Sequence, residues 1–186
     1  MIIVNDKQCE TLDDPIYANG KLVKEVYVNG DKVYPDDYGT GVIRFTLTWN
    51  DALTPVFNRN DEDLHCITSD GKIEIDYTNM KAAGGYLDVD VIHPIEGKKS
   101  VENIFFNDLN NMPFGTYKFY IHTFSFRNGI GGFRCELYVK GHGTRYYNYP
   151  HTTSDKLITD VAKLTLHDDY SIDIEDILPS SYAPFY

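Results

Sequence analysis

Two short aspartate motifs are the residues in this chain whose type and spacing are most suited to chemistry. Asp61 and Asp63 are two positions apart, and so are Asp88 and Asp90. Side chains at i and i+2 of a β-strand leave the same face about 7 Å apart, so each pair directs two carboxylates to one side of its strand. If the two strands are neighbours, the four carboxylates form a candidate metal site, and the expected ion is Ca²⁺, which takes about six to eight oxygen ligands.

The alternative interpretation is that each aspartate pair lies on a solvated face and binds no ion. Antiparallel strands commonly keep one face in water, and acidic residues are frequent there. The chain has 28 acidic side chains, so chance pairs are common. Aspartate is nevertheless unfavourable inside strands, and its recurrence at this spacing needs a reason. The sequence leaves both interpretations open.

The first aspartate pair is predicted to lie on a β-hairpin. Residues 61–77 contain two alternating segments, separated by turn-forming residues at 69–72. In the first segment Asp61, Asp63 and His65 share the solvated face. The opposite face of that segment carries Glu62, Leu64 and Cys66.

The second aspartate pair begins three residues after a glycine pair, Gly84-Gly85. Glycine gives the backbone freedom or allows close approach, and here we expect it to let the loop wrap an ion. Further along the chain, residues 116–126 and 133–139 alternate cleanly and are predicted to be strands joined by a hairpin. Both aspartate pairs are therefore expected on or beside strands of one β-domain.

The predicted fold class is all-β, with an antiparallel β-sandwich of jelly-roll or immunoglobulin-like type at residues 42–178. Alternating segments recur between Gly, Pro and Asn turns, and no window has the pattern of a capped amphipathic helix. Asn19-Gly20 and Asn29-Gly30 are strong hairpin signals and predict a small β-meander at residues 1–36. Residues 179–186 are interpreted as a C-terminal tail.

The amino-acid composition makes several classes of function unfavourable for this chain. A formal charge of −11 opposes binding to nucleic acid or to an anionic membrane. The three cysteines have no metal-type spacing and are expected to be reduced, two of them in the core. We expect no secretory signal and no membrane insertion, because no long apolar run is present. No nucleotide loop, nucleophile elbow or zinc-protease motif occurs, so the prediction is a non-enzyme, with a carboxylate-pair hydrolase as a minor alternative.

Six short motifs follow one another in residues 43–140: Leu47-Thr48-Trp49-Asn50, Asp61-x-Asp63-Leu64-His65, Ser69-Asp70-Gly71, Gly84-Gly85-x-Leu87-Asp88-x-Asp90, Glu102-Asn103-Ile104 and Pro113-x-Gly115-Thr116-Tyr117. This succession resembles a bacterial and phage β-sandwich family of uncharacterised function. The chain departs from this family at Glu62, where the family usually has an apolar residue.

Two looser resemblances bear on function. The strand with two aspartates, followed by a glycine-rich acidic loop, is similar to the calcium-binding sandwich of tellurium-resistance proteins. Residues 24–35 look like a short module common in phage and prophage structural proteins.

The resemblances imply a non-enzymatic virion structural or accessory protein, associated with a capsid, head fibre or tail. It would be made in the host bacterial cytoplasm and would bind other virion proteins or sister subunits through residues 1–36. The alternative is a metal-stabilised module that binds carbohydrate or a host surface through its Tyr-rich loops.

Overall fold

The chain divides into two compact units, residues 1–38 and 39–186. The computed structural model describes residues 41–49, 59–92, 99–127 and 131–183, and before residue 41 it describes only the backbone of six short strands.

The N-terminal unit contains three two-stranded antiparallel hairpins. The hairpins predicted from the two Asn-Gly pairs are the second and third of these, although the Asn-Gly positions themselves lie outside the described residues. The pairs are β1 (Ile2–Val4) with β2 (Lys7–Cys9), β3 (Tyr17–Ala18) with β4 (Lys21–Leu22), and β5 (Val26–Val28) with β6 (Asp31–Tyr34).

The second unit contains two antiparallel sheets, which confirms the predicted all-β sandwich. The first sheet has seven strands and the second has five. In spatial order the first sheet is β10 (Lys81–Ala82), β11 (Gly85–Leu87), β12 (Ser100–Phe106), β7 (Ile43–Trp49), β14 (Phe133–Val139), β15 (Gly143–Tyr149) and β18 (Ser180–Ala183). The second is β17 (Ile172–Asp176), β16 (Leu157–Leu166), β13 (Gly115–Ser125), β8 (Asp61–Thr68) and β9 (Glu74–Ile75).

The hydrophobic core follows the alternation in the sequence. In β7 every second residue from Ile43 to Trp49 is buried, as a strand with one face on a core requires. The rings of Phe45 in the first sheet and Phe119 in the second are stacked, with centroids 4.7 Å apart. Cys66 and Cys135 are free thiols buried in this core, as predicted, and the side chain of Cys9 lies outside the described residues.

Two segments differ from the sequence expectation. The return strand of the 61–77 hairpin is only β9, which pairs with β8 at Cys66 and Ile67 alone. The segment interpreted as a tail contains β18, which pairs with β15 and extends the first sheet.

Helix is almost absent from the described part of the chain, where the one helical element is a 3-10 turn at Leu109–Asn111. Within those residues no helix has the length and apolarity needed to span a membrane.

Candidate functional site

The candidate site is built around an unpaired but buried edge of strand β8. This strand pairs with β13 along its length, but between Asp61 and His65 no described strand pairs with its other edge. An unpaired strand edge leaves backbone N–H groups that need other acceptors. The site is therefore formed where side chains from the other sheet reach this edge.

Glu102 of β12 satisfies the edge of β8 and ties it to the first sheet. Its Oε2 accepts a hydrogen bond from the backbone N–H of Leu64 at 2.9 Å, and its Oε1 accepts one from the N–H of Val91, also at 2.9 Å. The side chain is 1% exposed. One carboxylate thus joins β12, β8 and the segment that follows β11.

Three carboxylates converge at this point, and we call Asp63, Asp90 and Glu102 the carboxylate triad. One oxygen from each lies within 4.8 Å of the others. Asp63 extends from the outer face of β8, Asp90 follows β11, and Glu102 belongs to the core-facing row of β12. Carboxylate oxygens gathered in this way are the ligands that a hard divalent cation prefers.

The triad is electrostatically strained without a cation. Burial, together with the charges of Asp61 and Asp90, raises the pKa of Asp63 to about 7. The pKa of Glu102 is raised to about 8, mainly by burial and also by the charges of Asp63 and Asp90, against the lowering effect of its two backbone hydrogen bonds. Burial also raises the pKa of Asp90. Like charges at close range disfavour the ionised state of all three groups.

One carboxylate oxygen of Asp63 also lacks a hydrogen-bond partner. Asp63 is 5% exposed, and its Oδ2 is buried without a hydrogen-bond partner among the described residues. A buried acceptor that makes no hydrogen bond is rare in folded proteins and calls for an explanation. This oxygen lies 3.7 Å from Nδ1 of His122. A cation bound by the three carboxylates offsets the repulsion within the triad, so the residues present fit such an ion.

The four predicted metal ligands, Asp61, Asp63, Asp88 and Asp90, do not all lie together in the structure. Asp63 and Asp90 are brought together, as expected. Asp61 is buried beside Asp63 and raises its pKa, but it is not one of the three converging groups. Asp88 is engaged elsewhere, because its Oδ1 accepts the backbone N–H of Asn103 and its Oδ2 accepts the side-chain amide of Asn103, both at 2.9 Å.

Glu102 is the triad member that sequence reasoning missed. It shares a strand face with Ile104 and Phe106, both fully buried. An acidic residue in the apolar phase of an alternating strand was the signal, since a buried carboxylate requires strong partners.

A second group lies on the same outer face of the second sheet, and we call Asp63, His65 and His122 the histidine cluster. One ligand atom from each of these residues also lies within 4.8 Å of the others. In a third group, one ligand atom from each of His65, Glu74 and Asp76 likewise lies within 4.8 Å of the others. Burial, followed by the effects of His65 and Lys156, lowers the pKa of His122.

On the opposite face of β8, Glu62 is fully buried and faces the sandwich interior. Its Oε2 accepts a hydrogen bond from the Thr123 hydroxyl at 2.7 Å, and its Oε1 accepts one from the Thr152 hydroxyl at 2.8 Å. Burial raises the pKa of Glu62, whereas these hydroxyl groups lower it. This carboxylate has its own polar pocket and is separate from the carboxylate triad.

The glycine pair before Asp88 serves packing in this structure. A Cβ on Gly84 would lie 2.3 Å from the carbonyl oxygen of Asn111, and the residue has φ of +79°. A Cβ on Gly85 would lie 2.5 Å from the ring of Phe106. Close approach therefore accounts for both glycines, and neither needs a bound ion to explain it.

Comparison of the chain with protein-family models, with curated proteins and with solved structures found no match in any of the three. What the geometry itself shows is a set of buried acidic and histidine side chains that could hold a metal ion.

Proposed function

We propose that this protein is a non-enzymatic structural or accessory component of a phage virion, with a β-sandwich stabilised by Ca²⁺. The observation that carries the calcium part of the proposal is the carboxylate triad, which joins β12 of the first sheet to β8 of the second. The virion part rests on the resemblance of residues 24–35 to a module of phage structural proteins. An ion held there acts as a cross-link in the fold, because its ligands come from β8, from β12 and from the segment after β11.

Calcium is the favoured ion for chemical reasons. All three triad side chains supply carboxylate oxygen, and Ca²⁺ tolerates irregular geometry with additional carbonyl and water ligands. Asp61 adds a further negative charge beside Asp63. Such a site stabilises only the folded chain, since the unfolded chain does not hold the three carboxylates together.

The proposed attachment segment is residues 1–36. The N-terminal unit is a series of two-stranded hairpins, and isolated hairpins of this kind are marginal in water. Exposed strand edges favour pairing with another chain. We therefore propose that this unit binds other virion proteins or sister subunits, while the sandwich is displayed.

Particle incorporation tests the virion role. The full chain and a chain that begins at Gly39 are expressed in the host, and particles are purified by gradient sedimentation. We expect the full chain to co-sediment with particles and the shortened chain to remain folded in the unbound fractions. Absence of the full chain from every particle fraction would refute the assignment, and equal incorporation of both would refute attachment through residues 1–36.

A surface-binding role is the second candidate, and exposed aromatic side chains beside the histidine cluster favour it. Tyr77 is 40% exposed, Phe124 is 52% exposed, and their rings meet edge to face at 6.3 Å. Exposed aromatic surface of this kind is typical of binding sites for other molecules. Glycan-array binding that is lost in Tyr77→Ala and Phe124→Ala would support carbohydrate recognition, and no binding by the wild type would oppose it.

A further inference from the structure

The histidine cluster has a defined place in the second sheet. His122 on β13 is directly opposite Asp63 on β8, and His65 is two residues further along β8 on the same face. The Nδ1 atom of His122 lies 3.7 Å from Oδ2 of Asp63. Two ligand atoms about 2.0–2.1 Å from a tetrahedral ion lie about 3.3–3.4 Å apart, so the observed separation is close to that of two ligands of one ion.

His65 is oriented as metal-binding histidines are. Its Nδ1 is 3.0 Å from Oε1 of Glu74, and its ring stacks on Tyr120 with centroids 4.6 Å apart. The Tyr120 hydroxyl donates a hydrogen bond to the same Glu74 oxygen and so fixes the carboxylate. A histidine that ligates a metal almost always donates its other ring N–H to a carboxylate, carbonyl or water.

The free nitrogen of His65 is the observation that points to a ligand. Its Nε2 is buried and has no hydrogen-bond partner in the part of the chain that the structure describes, and the residue is 6% exposed. Oδ2 of Asp63 is in the same condition. Two unpartnered buried acceptors in one cluster, one nitrogen and one oxygen, match the donors that a borderline metal ion takes.

We propose that Asp63, His65 and His122 bind a borderline transition-metal ion, with Zn²⁺ as the expected occupant. Two imidazoles and one carboxylate form a typical three-residue zinc ligand set, with a fourth position for water or an exogenous ligand. Glu74 then acts through His65 by fixing its ring, so the grouping of Glu74 with His65 is support for the ligand and no separate site. His122 is partly exposed and gives the ion a route from solvent.

This inference extends the proposed calcium centre, with which it shares Asp63, but it does not depend on calcium. A carboxylate has two oxygens, so Asp63 can serve both ions. Variants of Asp90 therefore address the triad alone, whereas variants of His122 address the histidine cluster alone.

Cobalt titration tests the proposal with a spectroscopic probe. The full chain is stripped with a chelator and titrated with Co²⁺, and visible absorption is recorded before Zn²⁺ is added as competitor. We expect tetrahedral-type bands that saturate at one ion per chain and disappear with Zn²⁺. His122→Ala should abolish the bands, Glu74→Gln should weaken Co²⁺ binding by about 10–100-fold, and Asp90→Asn should leave it unchanged.

The matched control is His167→Ala, which removes a histidine paired with Asp173 at 2.8 Å on an exposed turn. This variant should bind Co²⁺ as the wild type does. Circular dichroism in chelator checks that each variant is folded. If His122→Ala does not fold, the Co²⁺ affinity of Glu74→Gln decides the test instead.

Three results would overturn the inference: no visible bands in the wild type, bands that persist in folded His122→Ala, or wild-type Co²⁺ affinity in Glu74→Gln. Failure of the calcium proposal is distinguishable, because it leaves the Co²⁺ bands intact.

Discussion

Stability without an ion should fall as the pH rises through neutrality. The perturbation is a change from pH 5 to pH 9 in the presence of chelator. In the folded chain the pKa of Asp63 is raised to about 7 and that of Glu102 to about 8. A raised pKa means that folding favours the protonated acid, so its contribution is present at low pH and is lost as the pH passes the folded value.

The size of the effect follows from the same two groups. One pKa unit corresponds to about 1.4 kcal/mol. The carboxylate of unfolded Asp63 is already ionised at pH 5, so the step from pH 5 to the folded pKa of about 7 removes roughly 3 kcal/mol for this residue. The loss expected for Glu102 is of similar size, but the charge of Asp63 contributes to the Glu102 shift and this shared part counts once. We expect the free energy of unfolding to fall by about 5 kcal/mol for the pair, a large share of the stability of an ordinary domain.

The pH dependence of the free energy of unfolding is measured by urea unfolding at pH 5, 7 and 9, each with chelator and with excess Ca²⁺. Calcium should flatten the pH dependence, because ionised carboxylates bind it and protonated ones do not. The double variant Asp63→Asn, Glu102→Gln should remove most of the dependence in chelator. An ion-free wild type whose unfolding free energy is unchanged from pH 5 to pH 9 would refute the reasoning.

Two further predictions concern the polar groups around the site. Thr152→Val removes a hydroxyl donor from the buried carboxylate of Glu62 and should lower the free energy of unfolding by about 1–3 kcal/mol, whereas Thr153→Val on the exposed neighbour should change little in the same urea assay. Asp88→Ala leaves two hydrogen-bond donors of Asn103 without an acceptor. This variant should also lower the free energy of unfolding by about 1–3 kcal/mol, by the same amount with calcium and with chelator. A calcium-dependent loss would instead place Asp88 among the ion ligands.

Much of the sandwich was predictable because its strands alternate so regularly. The sequence predicted strand β14 with the bounds that the structure has, and β13 within a residue at each end. The tyrosine-rich segment that forms β15 could be read from the sequence as a loop or as an irregular strand, since its two faces differ little in polarity. β18 was missed because a four-residue edge strand carries almost no periodic signal and forms only through pairing with β15.

The candidate site was only half predictable, because sheet pairing decides which side chains meet. Asp63 and Asp90 were identified from their spacing, and the fold brings them together through the approach of β8 to the segment after β11. Spacing alone could not show that Asn103 engages Asp88. Nor could it show that Glu102 reaches across from β12, since the distance between the sheets is set by their packing.

The most direct test of the central claim is the calcium dependence of the thermal midpoint in the wild type and in Asp90→Asn, which removes one triad charge while nearly preserving shape. Calcium at about 100 times its dissociation constant should add about 2.7 kcal/mol and raise the wild-type Tm by about 5–10 °C relative to chelator. Asp90→Asn should lose most of this shift, whereas Glu175→Gln, which alters an exposed partner of Lys163, should keep it. A wild-type Tm that agrees within about a degree in calcium and in chelator, or a full shift in Asp90→Asn, would contradict the account.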